Sequence, residues 1–380
     1  PFPEGAASGQ KRLYTNGVFA TASGRARFAN TTYKPVAEAV DARFPFRLNT
    51  GRLRDQWHAM SRTGTVAQLF NHTESPRVAL NPNDLARRGL VDGELVRVQS
   101  RRGSVILPVE ASDCMRSGHA FIPMHWGSNF LSGSSGGNRG SGVNAVTNGA
   151  FDPDSKQPEL KHAAVRIERA GLAWQLVAFG FAPDGKALPL LERLRERLSA
   201  FPFATCTLIG REPAGVLFHA ASELPLAPQL LAGLDALFGL DGEPVLRYDD
   251  ARRGTSRRIR IDQGKVTAVR LAGDTQAAAW LKDWLVRKEP VAALGRLLLA
   301  PTVAPPAGFA TRGRIVCNCW NVSQSEIGEF VAALPDVEHG LDRPALDALQ
   351  AALKCGTECG SCLPEIRRMV SERKRERLAA

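Results

Sequence analysis

The sequence predicts a multidomain α+β protein, and three observations carry that prediction. At 380 residues and 44% hydrophobic content, the chain is long enough for two or three separate cores. Alternating apolar and polar residues dominate up to about residue 168, and helical spacing of leucines takes over beyond it. Five of the seven cysteines fall between Cys317 and Cys362, behind a proline-marked linker. This is the pattern of a site more than of a disulfide framework.

Composition narrows the function classes. Lys+Arg number 49 against Asp+Glu 38, a formal charge of +11, which points to anionic partners. The cations are spread along the chain, and the densest run, Arg373-Lys374-Arg375-Glu376-Arg377, is broken by an acid and suits a solvated helix end. A phosphate-bearing cofactor is therefore expected rather than nucleic acid. No run approaches the ~18 consecutive apolar residues of a membrane-spanning helix, so no membrane is expected. Residue 1 is Pro, with neither a charged n-region nor an apolar h-region after it. The expectation is a processed chain or the back part of a longer protein.

The elements follow in order. Arg12 to Phe28 alternates short apolar runs with the turn residues Asn16-Gly17 and Ser23-Gly24, which predicts a pair of strands. A β-rich block runs from about Phe46 to Ile167. Within it Asn81-Pro82-Asn83-Asp84 opens a short capped helix ending at Gly89. Leu95–Val98 and Val105–Val109 flank Ser100-Arg101-Arg102-Gly103 as a hairpin. From Gly127 to Gly149 the chain is rich in Gly, Ser and Asn, a loop long enough to serve a ligand or stay disordered. Leu190, Leu191, Leu194 and Leu198 then recur at helical spacing, Arg258–Ile261 and Lys265–Leu271 form a second hairpin, and Ala277, Trp280, Leu281, Trp284 and Leu285 share a helix face. Pro301, Pro305 and Pro306 mark a linker over 301–313.

In the last module, Cys317-x-Cys319 and Cys359-x-x-Cys362 supply four thiolates, the full complement for a tetrahedral zinc or a two-iron cluster. Ile327, Phe330, Val331 and Leu334, then Leu346, Leu349 and Leu353, predict two helices between the pairs, unlike the hairpin of a zinc ribbon. Glycines around Cys359 let backbone N–H groups approach the sulfurs, and Pro364-Glu365-Ile366 opens a further helix. Val316-Cys317-Asn318-Cys319 with Cys359-Gly360-Ser361-Cys362 resembles the bacterioferritin-associated-ferredoxin (BFD) type of [2Fe–2S] domain, over about residues 314–370. The resemblance implies a small all-α domain over 314–380 in which Cys317, Cys319, Cys359 and Cys362 bind iron. It leaves Cys355 as a bystander thiol.

Thr50-Gly51-Arg52-Leu53-Arg54-Asp55-Gln56-Trp57-His58 sets a glycine turn among cations and hydrogen-bonding side chains, suited to a phosphate or a planar heterocycle. Neither His58 nor His125 has a second His or Cys at metal-ligand spacing, and lone histidines of this kind also serve as satisfied polar residues. In order along the chain come Thr50-Gly51-Arg52, Gln56-Trp57-His58, Ser61-Arg62-Thr63-Gly64, Asn81-Pro82-x-Asp84, Ser100-Arg101-Arg102-Gly103, Pro123-Met124-His125-Trp126 and Asp152-Pro153 through Lys161. Together they look like the C-terminal molybdopterin-dinucleotide-binding domain of large molybdenum oxidoreductases, a double-psi β-barrel type fold, over 44–168. Residues 1–43 resemble the close of the domain that precedes it there, and 169–300 form a spacer. Part of that spacer, about 205–290, is similar to the C-terminal domain of flavin-dependent reductases, without a GxGxxG and so without an inferred flavin site.

The resemblance implies that Thr50, Gly51, Arg52, Gln56, Trp57 and His58 hold the dinucleotide and that Arg62 and Thr63 support it. Asn144 and Lys161 then contact the guanosine or pterin, and His125 and Trp126 stand where some relatives carry paired aromatics. The domain order resembles the catalytic subunit of bacterial assimilatory nitrate reductases. This implies reduction of nitrate to nitrite in the cytoplasm with Mo-bis(molybdopterin guanine dinucleotide) and a relaying [2Fe–2S] cluster. A [4Fe–4S] cluster and the molybdenum ligand are expected outside these residues, which hold no catalytic residue of their own, so this segment alone is expected to be inactive. The expected partner is an electron donor: a ferredoxin, a flavodoxin or an NADH-dependent reductase subunit. A formate dehydrogenase-like molybdenum enzyme and a non-catalytic iron–sulfur or zinc interaction module are the alternatives.

Overall fold

A computed structural model describes residues 9, 12–133, 135–136, 142–159, 161–292, 294–301, 304–334 and 342–379. The chain divides into two compact units, Pro1–Ala39 and Val40–Ala380. In the first, Arg12–Phe28 is not the expected pair of strands. The turns are present, with Gly17 N–H bonded to the Tyr14 carbonyl at 3.0 Å and Phe19 N–H to that of Gly24 at 2.9 Å, but no ladder joins the flanking segments. Turn residues fix a reversal; a strand also needs cross-chain pairs to hold it.

The second unit opens with a β-rich domain: β1 (Phe46–Gly51), β2 (Val78–Leu80), α1 (Pro82–Arg88), β3 (Leu95–Gln99), β4 (Gly103–Ala111), β5 (His119–Pro123), β6 (Ser135–Gly136) and β7 (Ala163–Arg169). The strands run β2-β5-β1-β7-β3-β4, and β4 pairs back onto β2, which closes a six-stranded barrel with β6 added outside β4. A closed β-barrel is therefore present where the resemblance places one. Along β1, Phe46, Leu48 and Thr50 point inward while Arg47 and Asn49 are exposed, the period-two pattern a barrel wall requires. β1 pairs β5 in parallel, with Gly51 opposite Pro123, so the turn after β1 and the segment after β5 leave the barrel at the same end. The β3–β4 hairpin and α1 form where the sequence places them. Asn81 caps the helix by accepting from Asn83 N–H at 2.9 Å, and Gly89 ends it with φ 62°. Ser134 and residues 137–141 of the Gly/Ser-rich loop lie outside the described residues.

Next comes an antiparallel sheet with helices: β8 (Trp174–Phe181), α2 (Ala187–Arg195), β9 (Phe203–Gly210), β10 (Ala214–Ser222), α3 (Pro228–Phe238), β11 (Val245–Asp250), β12 (Thr255–Asp262), β13 (Lys265–Ala272) and α4 (Ala278–Arg287), with strand order β11-β12-β13-β8-β10-β9. Leu190, Leu191 and Leu194 of α2 join the barrel core, whereas Trp280, Leu281 and Leu285 of α4 build a separate core on Phe179, Ile259 and Val269. A buried ion pair joins β13 to α3: Arg270 donates to both Asp235 oxygens, at 2.9 and 2.8 Å.

The C-terminal module contains β14 (Ile315–Cys317), β15 (Val322–Ser323), α5 (Gln324–Ala333), α6 (Asp342–Leu353) and α7 (Leu363–Ala379). The predicted helices form, but the module is not purely helical: Ile315 and Cys317 pair with Ser323 and Val322 in a short ladder. Ser323 and Glu326 close a capping box at the start of α5. Val316, Ile327, Leu349 and Ile366 are fully buried in the module's own core.

Candidate cofactor and metal site

The turn after β1 is cross-braced by side chains. Gln56 donates to the Leu69 carbonyl at 3.0 Å and accepts from the Thr63 hydroxyl at 2.5 Å, and Thr63 Oγ1 accepts from Trp57 N–H at 3.1 Å. From beneath, Leu53 N–H donates to His125 Nε2 at 3.0 Å. That bond places the imidazole proton on Nδ1, and burial lowers the pKa of His125, so the ring is neutral. With Gln56, Thr63 and His125 holding it from inside, the turn presents Trp57 outward, 47% exposed, with the guanidinium carbons of Arg52 and Arg62 each 5.8 Å from its ring centroid. Arg52 also reaches His58 Nε2. Ala59 and Met60 adopt left-handed φ of 47° and 56° in succession, a strained path for residues with a Cβ, on the order of 1–3 kcal/mol each. Gly64 follows, where a Cβ would stand 2.8 Å from both the Met60 carbonyl and Phe130.

The cysteines come from two segments. Cys317 ends β14 and Cys319 sits in the turn that follows, while the α6–α7 loop carries Cys355, Cys359 and Cys362. All seven cysteines of the chain are free thiols. Cys319 Sγ and Cys359 Sγ lie 3.4 Å apart, while Cys317 interacts with Cys362 and Cys355. No three His, Cys, Asp or Glu side chains among the described residues converge on one point suited to a single metal ion. Cys317, Cys355 and Cys362 are buried, Cys359 is exposed and Cys319 half-buried, so the group has an inner and an outer edge. The Ser361 hydroxyl, 3.2 Å away, with the Ser361 N–H, lowers the pKa of Cys359 toward the thiolate. Burial, reinforced by Cys317, pushes Cys362 up to about 12. Beside the outer edge, Trp320 is 39% exposed, donates to Thr357 Oγ1 at 3.1 Å and carries the Lys354 ammonium 4.7 Å from its ring centroid.

A polar network joins the two places. Arg54 donates to the Val316 carbonyl at 2.7 Å and to Glu365 Oε2 at 3.0 Å, and pairs with Asp55 at 2.9 Å. Asn318, between the first two cysteines, donates to Asp55 Oδ2 at 3.0 Å. Glu365 also takes Arg314 and, at 2.9 Å, His72. Burial raises the Glu365 pKa, but His72, Arg314 and Arg54 outweigh it and hold the carboxyl at about 2.

Residues 46–164 match the family model of molybdopterin dinucleotide binding domains, and residues 315–372 match that of BFD-like [2Fe–2S] binding domains. The barrel is a molybdopterin dinucleotide-binding domain, and the cysteine module is a BFD-like [2Fe–2S] domain. Nitrate reductase from Klebsiella oxytoca is 32% identical over 361 residues, covering 92% of this chain and 36% of that protein. Nitrate reductase from Shewanella frigidimarina is 25% identical, covering 97% and 39%. The F420-dependent formate dehydrogenase subunit alpha of Methanocaldococcus jannaschii is 33% identical over a shorter stretch, 43% of this chain and 22% of that protein. The chain thus spans well under half the length of these relatives.

Within the dinucleotide-binding domain, Thr50, Gly51, Arg52, Gln56, Trp57, His58, Arg62, Thr63 and His125 gather around one turn. Trp126 is 2% exposed and packs in the core, its ring centroid 6.3 Å from those of Phe70 and Phe130. Asn144, in a short 3-10 helix, and Lys161, on a turn, are exposed, and among the described residues no hydrogen bond joins either to the 50–63 segment. In the [2Fe–2S] domain all four predicted ligands and Cys355 come together. Sequence reading missed the roles of Arg54, Asp55, His72, Arg314, Asn318 and Glu365. The only signal was the adjacent Arg54-Asp55 pair inside the turn.

Proposed function

We propose that this chain is the cofactor-binding C-terminal part of a cytoplasmic molybdenum enzyme that reduces nitrate to nitrite in nitrate assimilation. The observation that carries this reading is similarity to a nitrate reductase over 92% of the chain, through the barrel, the spacer and the [2Fe–2S] domain together. The formate dehydrogenase relative is similar over 43%. In the reaction, nitrate takes up an electron pair and two protons and leaves as nitrite and water. When bound, pterin-held molybdenum supplies the oxygen-atom transfer and a [2Fe–2S] cluster supplies single-electron storage.

The chain's own residues bind, orient and insulate. Arg52 and Arg62 meet phosphate oxygens with planar guanidinium donors, and Trp57 offers its face to a planar base. Thr50 and Gly51 aim the turn, Gln56, Thr63 and His125 hold its shape, and His58 adds a polar group beside Arg52, while Trp126 supports the turn only from the barrel core and Asn144 and Lys161 stand apart from it. The strain at Ala59 and Met60 supports a ligand at this turn. The barrel's parallel pairs, β1 with β5 and β2 with β4, suit the double-psi type.

Cys317, Cys319, Cys359 and Cys362 serve as thiolate ligands. Sulfurs that meet in pairs fit a two-iron unit better than one tetrahedral ion. Cys319 and Cys359, at the outer edge, would hold the side of the cluster that faces an electron donor, a ferredoxin, a flavodoxin or an NADH-dependent reductase subunit. The inner edge, Cys317 and Cys362, faces Arg54 and the dinucleotide turn. A [4Fe–4S] cluster and the molybdenum ligand belong to the rest of the enzyme. The test is an assay of the complete enzyme with reduced viologen and nitrate, and separately with formate and an oxidised dye. Nitrite production without formate oxidation supports the reading; formate oxidation without nitrite contradicts it.

A further inference from the structure

Arg54 belongs to the dinucleotide-domain turn by sequence, yet most of its bonds outside that turn go to the [2Fe–2S] domain. It holds the carbonyl of Val316, the residue before Cys317, at 2.7 Å and the carboxylate of Glu365 at 3.0 Å. Asp55 completes a ring by accepting from Arg54 at 2.9 Å and from Asn318, which sits between Cys317 and Cys319, at 3.0 Å. The Arg54 and Glu365 side chains are only 18% and 12% exposed. Charges this poorly solvated act on their neighbours through a lower effective dielectric than surface ones, and salt screens them little.

We propose that Arg54 is the positioning and potential-setting residue of the cluster, a fixed cation lent by the dinucleotide domain to the inner edge formed by Cys317 and Cys362. The inference rests on the reading of Cys317, Cys319, Cys359 and Cys362 as cluster ligands. Reduction adds one electron to the cluster, with no bond made or broken and no proton moved. A nearby fixed positive charge therefore favours the reduced state, and a nearby fixed negative charge disfavours it. Arg54 and Glu365 touch each other but act on the cluster with opposite sign. The same contacts tie the cluster's position to the turn that holds the dinucleotide, so potential and docking are set by one side chain.

The test is a redox titration of the cluster-loaded protein with dithionite as reductant, following the electron paramagnetic resonance signal of the reduced cluster in Arg54→Gln, Arg54→Lys and Glu365→Gln. Arg54→Gln is expected to shift the midpoint to more negative potential, with about a tenfold fall in the reduced-to-oxidised ratio at fixed potential, or ~59 mV for a one-electron couple. Arg54→Lys keeps the charge and shifts less, and Glu365→Gln shifts the midpoint the opposite way. A merely structural role moves Arg54→Gln and Glu365→Gln in the same direction, and that result, or an unmoved midpoint in both, overturns the proposal. If Arg54→Gln loses its iron, Glu365→Gln decides alone: a positive shift supports the proposal, and none or a negative one overturns it. Wild-type protein that takes up no iron defeats the ligand reading itself, and the proposal with it.

Discussion

The sulfurs of Cys319 and Cys359 lie 3.4 Å apart although 40 residues separate them in the chain. Two helices, α5 and α6, fill that interval and build the core that brings the β14–β15 turn against the α6–α7 loop. The meeting of the two cysteine pairs is thus a product of the module's packing.

That arrangement predicts different fates for two neighbouring cysteines. Cys359→Ser should abolish cluster assembly, because the outer pair loses its thiolate of lowered pKa. Cys355→Ser should retain the cluster, since Cys355 belongs to neither the Cys317-x-Cys319 nor the Cys359-x-x-Cys362 pair. Visible absorption and iron content of the two variants check this. A full spectrum from Cys359→Ser, with loss in Cys355→Ser, reverses the assignment of the ligand.

Arg52 stands over Trp57 and beside His58 at the most exposed part of the dinucleotide turn. Arg52→Gln removes a charge-assisted donor to phosphate, worth roughly 1.5–3 kcal/mol, or about tenfold or more in affinity. The expected outcome is a complete enzyme with lowered guanine nucleotide and molybdenum content, measured after acid release. Unchanged content excludes the role.

Arg270 and Asp235 form a bidentate pair inside the spacer, with side chains 2% and 10% exposed. Asp235→Ala strands the arginine charge and should cost about 3–5 kcal/mol in denaturant unfolding. Replacing both partners by apolar residues should recover much of that loss. A single variant as stable as wild type shows that the pair is solvated in solution.

His219 lies against the Phe203 ring, at 5.2 Å between centroids, and burial lowers its pKa from 6.5 to about 4. The folded state favours the neutral ring, whereas the unfolded chain takes up a proton below its ordinary value. The stabilisation is therefore full above pH 6.5 and is lost as pH falls toward 4. The melting temperature should drop across that window, and His219→Gln should flatten the drop. Equal slopes in the two proteins contradict the assignment.

Much of this molecule is legible locally. The cap at Asn81, the hairpin turn at Ser100–Gly103, the helix face of Trp280 and Trp284 and the two cysteine pairs each declare themselves within a dozen residues. The Arg12–Phe28 segment misleads because its turn residues resemble those of a hairpin while nothing in the sequence reports whether a ladder forms. The bond from Arg54 to Glu365 spans 311 positions. Neither residue has a local pattern that distinguishes it from a solvated surface charge, so only the packed structure reveals their relation. Likewise Trp126 reads from sequence as a ligand-facing aromatic, and the barrel core takes it in.

On the proposed reading, four cysteines of this chain hold a two-iron cluster beside its molybdopterin dinucleotide-binding domain. Metal and acid-labile sulfide analysis of the anaerobically purified protein tests it most directly. The expected result is about two irons and two sulfides per chain with no stoichiometric zinc. About one zinc per chain, with no iron and no sulfide, contradicts it.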